Sequence, residues 1–319
     1  MFLGIEIGGT KLQIAVGTAE SSTLTAIHRA QVCVARGAEG IRQQIAEIAL
    51  PLVSQHNIRA IGIGFGGPVE VATGRTIKSH HVAGWDRFPL ADWTKETLGV
   101  PACVGNDSDL AGLGEATFGA GRGKRVVFYT NVGSGIGGAL VIDRRVYIGG
   151  AGVASELGHI RIGPAAETSQ QIVELSASGW AIAAAARSDR ELAADLQRQY
   201  GCSLEQINTK HVAEAAKAGN QCALAIFGRA VKTYGWAIAQ MITLLSPQVV
   251  VIGGGVPQVG ERLFFAPLRE EVDRYVFPPL RQTYEILPAL LGEEVVLHGA
   301  LALARGLATD GSTTRLFVP

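Results

Sequence analysis

The chain has 319 residues, 47% of them apolar and 18% charged, with a formal net charge of zero. That balance excludes a disordered chain, allows two domains of ordinary size, and lacks the positive surplus of a nucleic-acid surface. The apolar runs are strand-sized, as at Val249 to Ile252, and none reaches the length of a membrane span.

Residues 2–7 and 12–17 read as apolar strands joined by Gly8-Gly9-Thr10-Lys11, and residues 24–34 as a third strand. The first apolar run leads straight into a glycine turn, so no leader peptide is expected. Residues 39–56 read as a helix with Ile41, Ile45, Ile48 and Leu52 on one face. Pro51 is expected to kink or shorten its second half. Residues 59–65 form a buried strand that enters the Gly66-Gly67-Pro68 turn, Ala102 to Val104 a short strand, and Ser108 to Phe118 a helix ending near Gly119.

The pattern then restarts. Residues 125–132, 136–142 and 145–148 are a second strand trio, the first two joined through Gly133-Ser134-Gly135. Helical sequence follows from about Ser176 to Leu245, with breaks near Gly201 and Gly219, and Pro247 ends it. Gln248 to Ile252 is a strand delivering Gly253-Gly254-Gly255, Tyr284 to Leu287 the last strand, and His298 to Ala308 the last helix. The order repeats at a period too long for a solenoid and predicts a duplicated α/β fold, two lobes with a cleft between them.

Both glycine turns hold more glycine than a hairpin needs, and each adds a hydroxyl residue. Backbone N–H groups converging at such turns make nests for phosphate oxygens, so two of them suggest a polyphosphate gripped from both sides. Asp107, at a strand-to-helix junction, reads by itself as a helix cap. Lys11 is open between a phosphate contact and a solvated turn residue. Cys33, Cys103, Cys202 and Cys222 form no C-x-x-C pair and read as free thiols in a reducing cytoplasm.

Several segments together resemble the ROK family of the actin-like sugar-kinase superfamily. Gly4-Ile-Glu6-Ile-Gly8-Gly9-Thr10-Lys11 is similar to its first phosphate motif and Val132-Gly-Ser-Gly-Ile-Gly-Gly138 to its second. Val104-Gly-Asn106-Asp107 with Leu113-Gly114-Glu115 resembles its catalytic segment, Glu156-Leu-Gly158-His159 its Glu-x-Gly-His signature, and Val249 to Gly255 its adenosine motif. The resemblance implies two ribonuclease H-like (actin-like ATPase) lobes, residues 1–118 with the C-terminal helix at about 298–319, and residues 119–297. It implies a cytoplasmic, homodimeric kinase that moves the terminal phosphoryl group of ATP, with Mg²⁺, to a hexose hydroxyl, with glucose at C6 the leading acceptor.

On that resemblance Asp107 is the general base, because phosphoryl transfer to a sugar needs a carboxylate to take the hydroxyl proton. Gly67, Asn106, Asp107, Glu156, His159 and Glu174 bind the sugar. Gly8, Gly9, Thr10, Lys11, Gly133, Ser134, Gly135, Gly253, Gly254 and Gly255 hold the nucleotide. Glu6, where the superfamily more often has Asp, would hold a water of the Mg²⁺. Many relatives carry a C-x-C-G-x-x-G-C zinc motif after the Glu-x-Gly-His; here Gly163-Pro-Ala-Ala-Glu-Thr-Ser-Gln-Gln-Ile stands there, and no structural zinc is expected. His80 and His81 stand open between substrate contact and plain loop. Two alternatives remain: a non-catalytic sugar-binding regulator, disfavoured because Phe2 already belongs to the first phosphate strand and leaves no room for a helix-turn-helix, and a polyphosphate-dependent glucokinase.

Overall fold

The computed structural model describes residues 1–79, 82–163, 167–310 and 316–318. His80, His81 and the segment 164–166 lie outside the described residues.

The chain begins with β1 (Phe2–Ile7) and β2 (Lys11–Gly17), an antiparallel pair joined by the first glycine turn, and β3 (Leu24–Gln31) extends it. The third strand ends at Gln31 rather than at residue 34, and a short 3₁₀ turn over Val34–Arg36 leads into α1 (Gly37–His56). This helix buries Ala38, Ile41, Ile45, Ala49 and Leu52 at helical spacing. It continues through Pro51 to His56, so the expected shortening does not occur. Pro51 lies on the exposed side, where water can take over the backbone group that its missing N–H leaves unpaired.

β4 (Ile61–Phe65) lies parallel to β1, and β5 (Val69–Glu70) with β6 (Arg75–Thr76) forms a small hairpin. Next come α2 (Leu90–Leu98), β7 (Ala102–Asn106) parallel to β4, and α3 (Asp107–Phe118). The trio β8 (Val126–Val132), β9 (Ile136–Ile142) and β10 (Arg145–Tyr147) follows.

The long helical stretch is divided into α4 (Glu174–Ala177), α5 (Gly179–Ser188), α6 (Arg190–Tyr200), α7 (Thr209–Lys217) and α8 (Gln221–Leu245). Two divisions were not expected. Ser178 and Asp189 take extended backbone and cap the next helix, accepting from the N–H of Ala181 at 3.2 Å and of Leu192 at 3.0 Å. The chain closes with β11 (Val249–Gly253), a π turn over Glu261–Phe265 running into α9 (Ala266–Tyr275), β12 (Glu285–Pro288), α10 (Val295–Asp310) and β13 (Phe317–Val318).

The first sheet has the order β3-β2-β1-β4-β7, the second β12-β11-β8-β9-β10-β13. Counted among the strands of each sheet, both run third, second, first, fourth, fifth, with β13 added at one edge. That shared order is the duplication expected of the α/β fold. By contact density the chain forms two compact units: Met1–Tyr129, Ala139–Ser155 and Ala289–Pro319 in the first, Thr130–Gly138 and Glu156–Pro288 in the second.

In the first unit, α10 packs on β1, β4 and α3 at a separation that side chains would forbid. A Cβ on Gly62 would stand 1.9 Å from the Ala300 carbonyl oxygen, and one on Gly299 1.8 Å from that of Leu110. The alternation Ile61-Gly62-Ile63-Gly64-Phe65 thus puts glycine toward α10, while Ile61, Ile63 and Phe65 join the main core cluster.

Candidate active site

In the first unit, the Gly8 N–H donates to the Lys11 carbonyl at 2.9 Å and closes the first glycine turn. Glu6 precedes it on β1 and is almost fully buried. One carboxylate oxygen lies 3.1 Å from Lys11 Nζ, and the other accepts from Gln13 Nε2 at 2.8 Å. Burial pushes the Glu6 carboxyl above the ordinary carboxylate range, and Lys11 and Gln13 pull against it. Glu6, Gln13 and Arg29 are direct cross-strand partners on β1, β2 and β3. Arg29 Nε donates to Gln13 Oε1 at 3.1 Å, so the amide must present its NH₂ to Glu6. Lys11 is therefore an ion-pair partner, where its sequence left phosphate contact and solvated turn open.

Asp107 opens α3. The cap is Asn106, whose Oδ1 accepts from the N–H groups of Ser108 at 2.8 Å and Asp109 at 3.2 Å. Asn106 Nδ2 donates to the Gly67 carbonyl at 3.1 Å, which fixes the loop after β4 and leaves one amide hydrogen for a ligand. Gly67 has no room for a side chain, since a Cβ would meet the Lys78 carbonyl oxygen at 2.7 Å. Asp107 Oδ1 accepts from Ser108 N–H at 2.8 Å, while Oδ2 lies 3.5 Å from where a Gly66 Cβ would stand. The same point is 3.6 Å from Gly8 Cα, so this unit gathers Asp107, Gly66 and the first phosphate turn at one place. The buried Tyr129 hydroxyl is pushed up by desolvation and then by the charges of Glu115, Asp107 and Glu6.

Glu115 of the catalytic-segment motif is fully buried and accepts three backbone N–H groups, from Ala120 at 2.7 Å, Leu290 at 2.9 Å and Leu291 at 2.8 Å. Its carboxyl is raised by burial against those bonds. It anchors the C-terminal end of α3 to the segment that leads into α10.

In the second unit, the Gly133 N–H donates to the Gly135 carbonyl at 2.9 Å and closes the second turn. Glu174 Oε2 accepts from the Ile136 N–H at 2.7 Å, and a Cβ on Gly135 would stand 2.5 Å from the same oxygen. Glu174 is thus tied to the turn's exit. Glu156 is raised by burial, lowered by His159 and raised by Glu174, which places the three proposed sugar ligands within one electrostatic neighbourhood. Gly158 lets the 3₁₀ turn Leu157–His159 lie on β9, since a Cβ there would be 2.4 Å from the Ile136 carbonyl oxygen.

Beside the second turn lies a pocket of about 760 Å³, a volume that suits a small-molecule ligand. It is lined by Gly133, Ser134 and Gly255 of the sequence candidates, and Gly135, Gly253 and Gly254 do not line it. Gly254 instead has φ +94°, and a Cβ would lie 2.3 Å from the Val132 carbonyl oxygen, so it is the glycine that lets β11 lead past β8. The sequence reading missed Trp180 and the Asn208-Thr209-Lys210 start of α7, which also line the pocket. Both carry a usable signal: Trp180 directly follows the Ser178-Gly179 step, and Asn208 is a helix cap that accepts from Lys210 N–H at 3.0 Å. Trp85 is core: its ring lies 5.4 Å from Phe65 and 5.5 Å from Phe88. Among the described residues no group of three or more His, Cys, Asp or Glu could hold a metal ion. No helix among them is long and apolar enough to cross a membrane.

Comparison with known proteins bears on this geometry. The family model described as "ROK family" matches residues 2–306. The chain is 30% identical over 308 residues to a glucokinase of Thermotoga maritima, covering 95% of this chain and 96% of that one. It is 31% identical over 312 residues to a glucokinase of Streptomyces coelicolor, covering 95% and 97%. The crystal structure of a ROK family glucokinase from Streptomyces griseus in complex with glucose and AMPPNP superposes with a TM-score of 0.80 at 32% identity, covering 95% of this chain and 99% of that one. The duplicated strand order, the two glycine turns and a family match across nearly the whole length agree, and this chain belongs to the ROK family.

Proposed function

We propose that this chain is an ATP-dependent glucokinase that transfers the γ-phosphoryl group of ATP to the C6 hydroxyl of glucose. The observation that carries the reading is Asp107: a carboxylate held by the Ser108 N–H in the first turn of α3, with its second oxygen beside Gly66 and the first phosphate turn. A carboxylate so placed can take the proton of an attacking hydroxyl. Asn106 and Gly67 form the acceptor floor around it, and Glu156, His159 and Glu174 supply hydrogen-bond partners for ring hydroxyls. The pocket beside Ser134 suits a nucleoside, which favours ATP over inorganic polyphosphate as donor.

Asp107 accepts the hydroxyl proton as the oxygen attacks phosphorus, and the glycine turns offer backbone N–H groups to the phosphates. When bound, Mg²⁺ neutralises charge on the transferring phosphates. Glu6 fits the duty of holding one of its waters. Each of its oxygens makes one protein contact, to Lys11 or to Gln13, and a carboxylate oxygen has a second lone-pair site. The family resemblance further supports a cytoplasmic homodimer, which light scattering of purified protein would check. The test of the function is coupled ADP release with MgATP across a hexose panel. Glucose is expected to give a kcat/KM of about 10⁴ M⁻¹s⁻¹ or more, and absence of turnover with every sugar would overturn the proposal.

A further inference from the structure

The three carboxylate and imidazole groups read above as sugar ligands are mounted on one short clip of backbone. Glu156 and His159 are joined by a 3₁₀ turn, in which the His159 N–H donates to the Glu156 carbonyl at 3.0 Å. The chain then runs out along Ile160, Arg161 and Ile162 and returns along Gln171, Ile172 and Val173. The two arms pair antiparallel, with Arg161 opposite Ile172. The Val173 N–H donates to the Ile160 carbonyl at 3.0 Å, and the Ile162 N–H to the Gln171 carbonyl at 3.1 Å. At the inner end, the next residue on one arm is His159 and on the other Glu174. The returning arm is anchored, because Ile172 and Val173 are buried, whereas Arg161 and Ile162 on the outgoing arm are exposed.

A two-armed ladder of this length is marginal by itself in water, so the closure of its outer end determines whether the arms stay paired. Gln171 makes that closure. Its Oε1 accepts the N–H groups of Glu167 and Thr168, the latter at 3.0 Å, and its own N–H donates to the Thr168 carbonyl at 3.3 Å. Two donors on one atom fix the orientation of the amide, since its NH₂ accepts nothing. One side chain thus ties the loop back onto the returning arm and removes freedom from the chain that joins the two arms.

We propose that Gln171 is a positioning residue for the acceptor sugar: its side-chain oxygen closes the clip that keeps His159 beside Glu174. The proposal rests on the reading of His159 and Glu174 as sugar ligands. Gln171 acts through them and needs no contact with the sugar. With the closure removed, the exposed outgoing arm can leave the anchored one, and His159 leaves with it while Glu174 stays bonded to the Ile136 N–H.

The experiment compares wild type, Gln171→Ala and Gln171→Glu by calorimetry with glucose, by steady-state kinetics in glucose and in MgATP, and by denaturant unfolding. Gln171→Ala is expected to bind glucose about 3- to 30-fold more weakly, the scale of one or two lost hydrogen bonds. Its KM for glucose rises while that for MgATP holds, and the unfolding midpoint stays that of wild type. Gln171→Glu keeps an acceptor oxygen at the same reach and restores most of the glucose affinity. Equal glucose affinity in wild type and Gln171→Ala overturns the proposal, and so does a Gln171→Glu variant as weak as Gln171→Ala. A rise in the KM for MgATP together with a lowered midpoint overturns it too, because a merely structural role gives that result. Wild type that binds no glucose overturns the reading of His159 and Glu174 as sugar ligands, and the positioning role with it.

Discussion

The two glycine turns share a pattern, but their surroundings differ in kind. Around Gly8 to Lys11 the contacts are made by charged and polar side chains: Glu6 holds Lys11, Gln13 holds Glu6, and Arg29 orients Gln13. Around Gly133 to Gly135 the packing is backbone against backbone. Gly179 and Gly254 come so near the second turn and β8 that no side chain fits, and Glu174 accepts the N–H at the turn's exit. The first turn is a place for electrostatics beside a candidate base, the second a rigid wall for a pocket. A duplicated motif has thus been divided into two tasks, and it is the residues outside the motif that divide it.

The largest expected effect tests the charged side. Asp107→Asn should lower kcat by about 10²–10⁴-fold, the usual worth of a positioned general base, while glucose binding by calorimetry changes little. The amide keeps an acceptor for the Ser108 N–H, so loss of binding together with turnover would mean that Asp107 only shapes the loop.

The tight side is tested by Gly254→Ala. The added methyl would meet the Val132 backbone at a φ that L-residues avoid, and we expect about 2–4 kcal/mol of lost stability from strain and overpacking combined. Denaturant unfolding at an unchanged m-value measures it; an unaltered midpoint would show that the second turn is not held in this way.

A smaller effect separates the two carboxylates of the second unit. Glu156→Ala should raise the KM for glucose and leave that for ATP, whereas Glu174→Ala frees the Ile136 N–H and should raise both. Steady-state kinetics in both substrates gives the split, and identical behaviour of the two variants would remove the distinction.

Acidity sharpens the same point. Burial, the leading cause, and the Glu174 charge hold the Glu156 carboxyl above its ordinary 4.5, against His159. A carboxylate accepts from sugar hydroxyls in its charged form, so glucose affinity is full above the raised pKa and falls as pH drops through it. Calorimetry from neutral into acid pH should show that fall in wild type and a flatter profile in Glu156→Gln. The smallest effect is that of Lys11→Met. The pair is half exposed on the lysine side, so its loss should cost about 1 kcal/mol or less in an unfolding titration.

Much of this was legible because it is local. Gly8-Gly9 between two apolar runs predicts a hairpin, the breaks at Gly201 and Gly219 are visible, and Asn106-Asp107 at a strand end announces a helix start. What was not legible depends on distant partners. Nothing near Glu174 says that it will bond Ile136, and nothing near Gly254 says that Val132 will lie against it. α2 and α9 were missed: each spans only two to three turns with a short buried stripe, such as Leu90, Thr94 and Leu98, and the π turn before α9 breaks its period. Asn106 showed a second limit. The sequence offers Asp107 as the cap, but the cap is one residue earlier, and that shift makes Asp107 the first residue of α3, with Oδ2 beside Gly66.

The account stands or falls most directly on one measurement: formation of glucose 6-phosphate and ADP from glucose and MgATP by the wild-type chain and by Asp107→Asn, followed side by side. The account predicts equimolar products from wild type and almost none from a variant that still binds glucose. Equal turnover by both, or none by wild type with glucose bound, would contradict it.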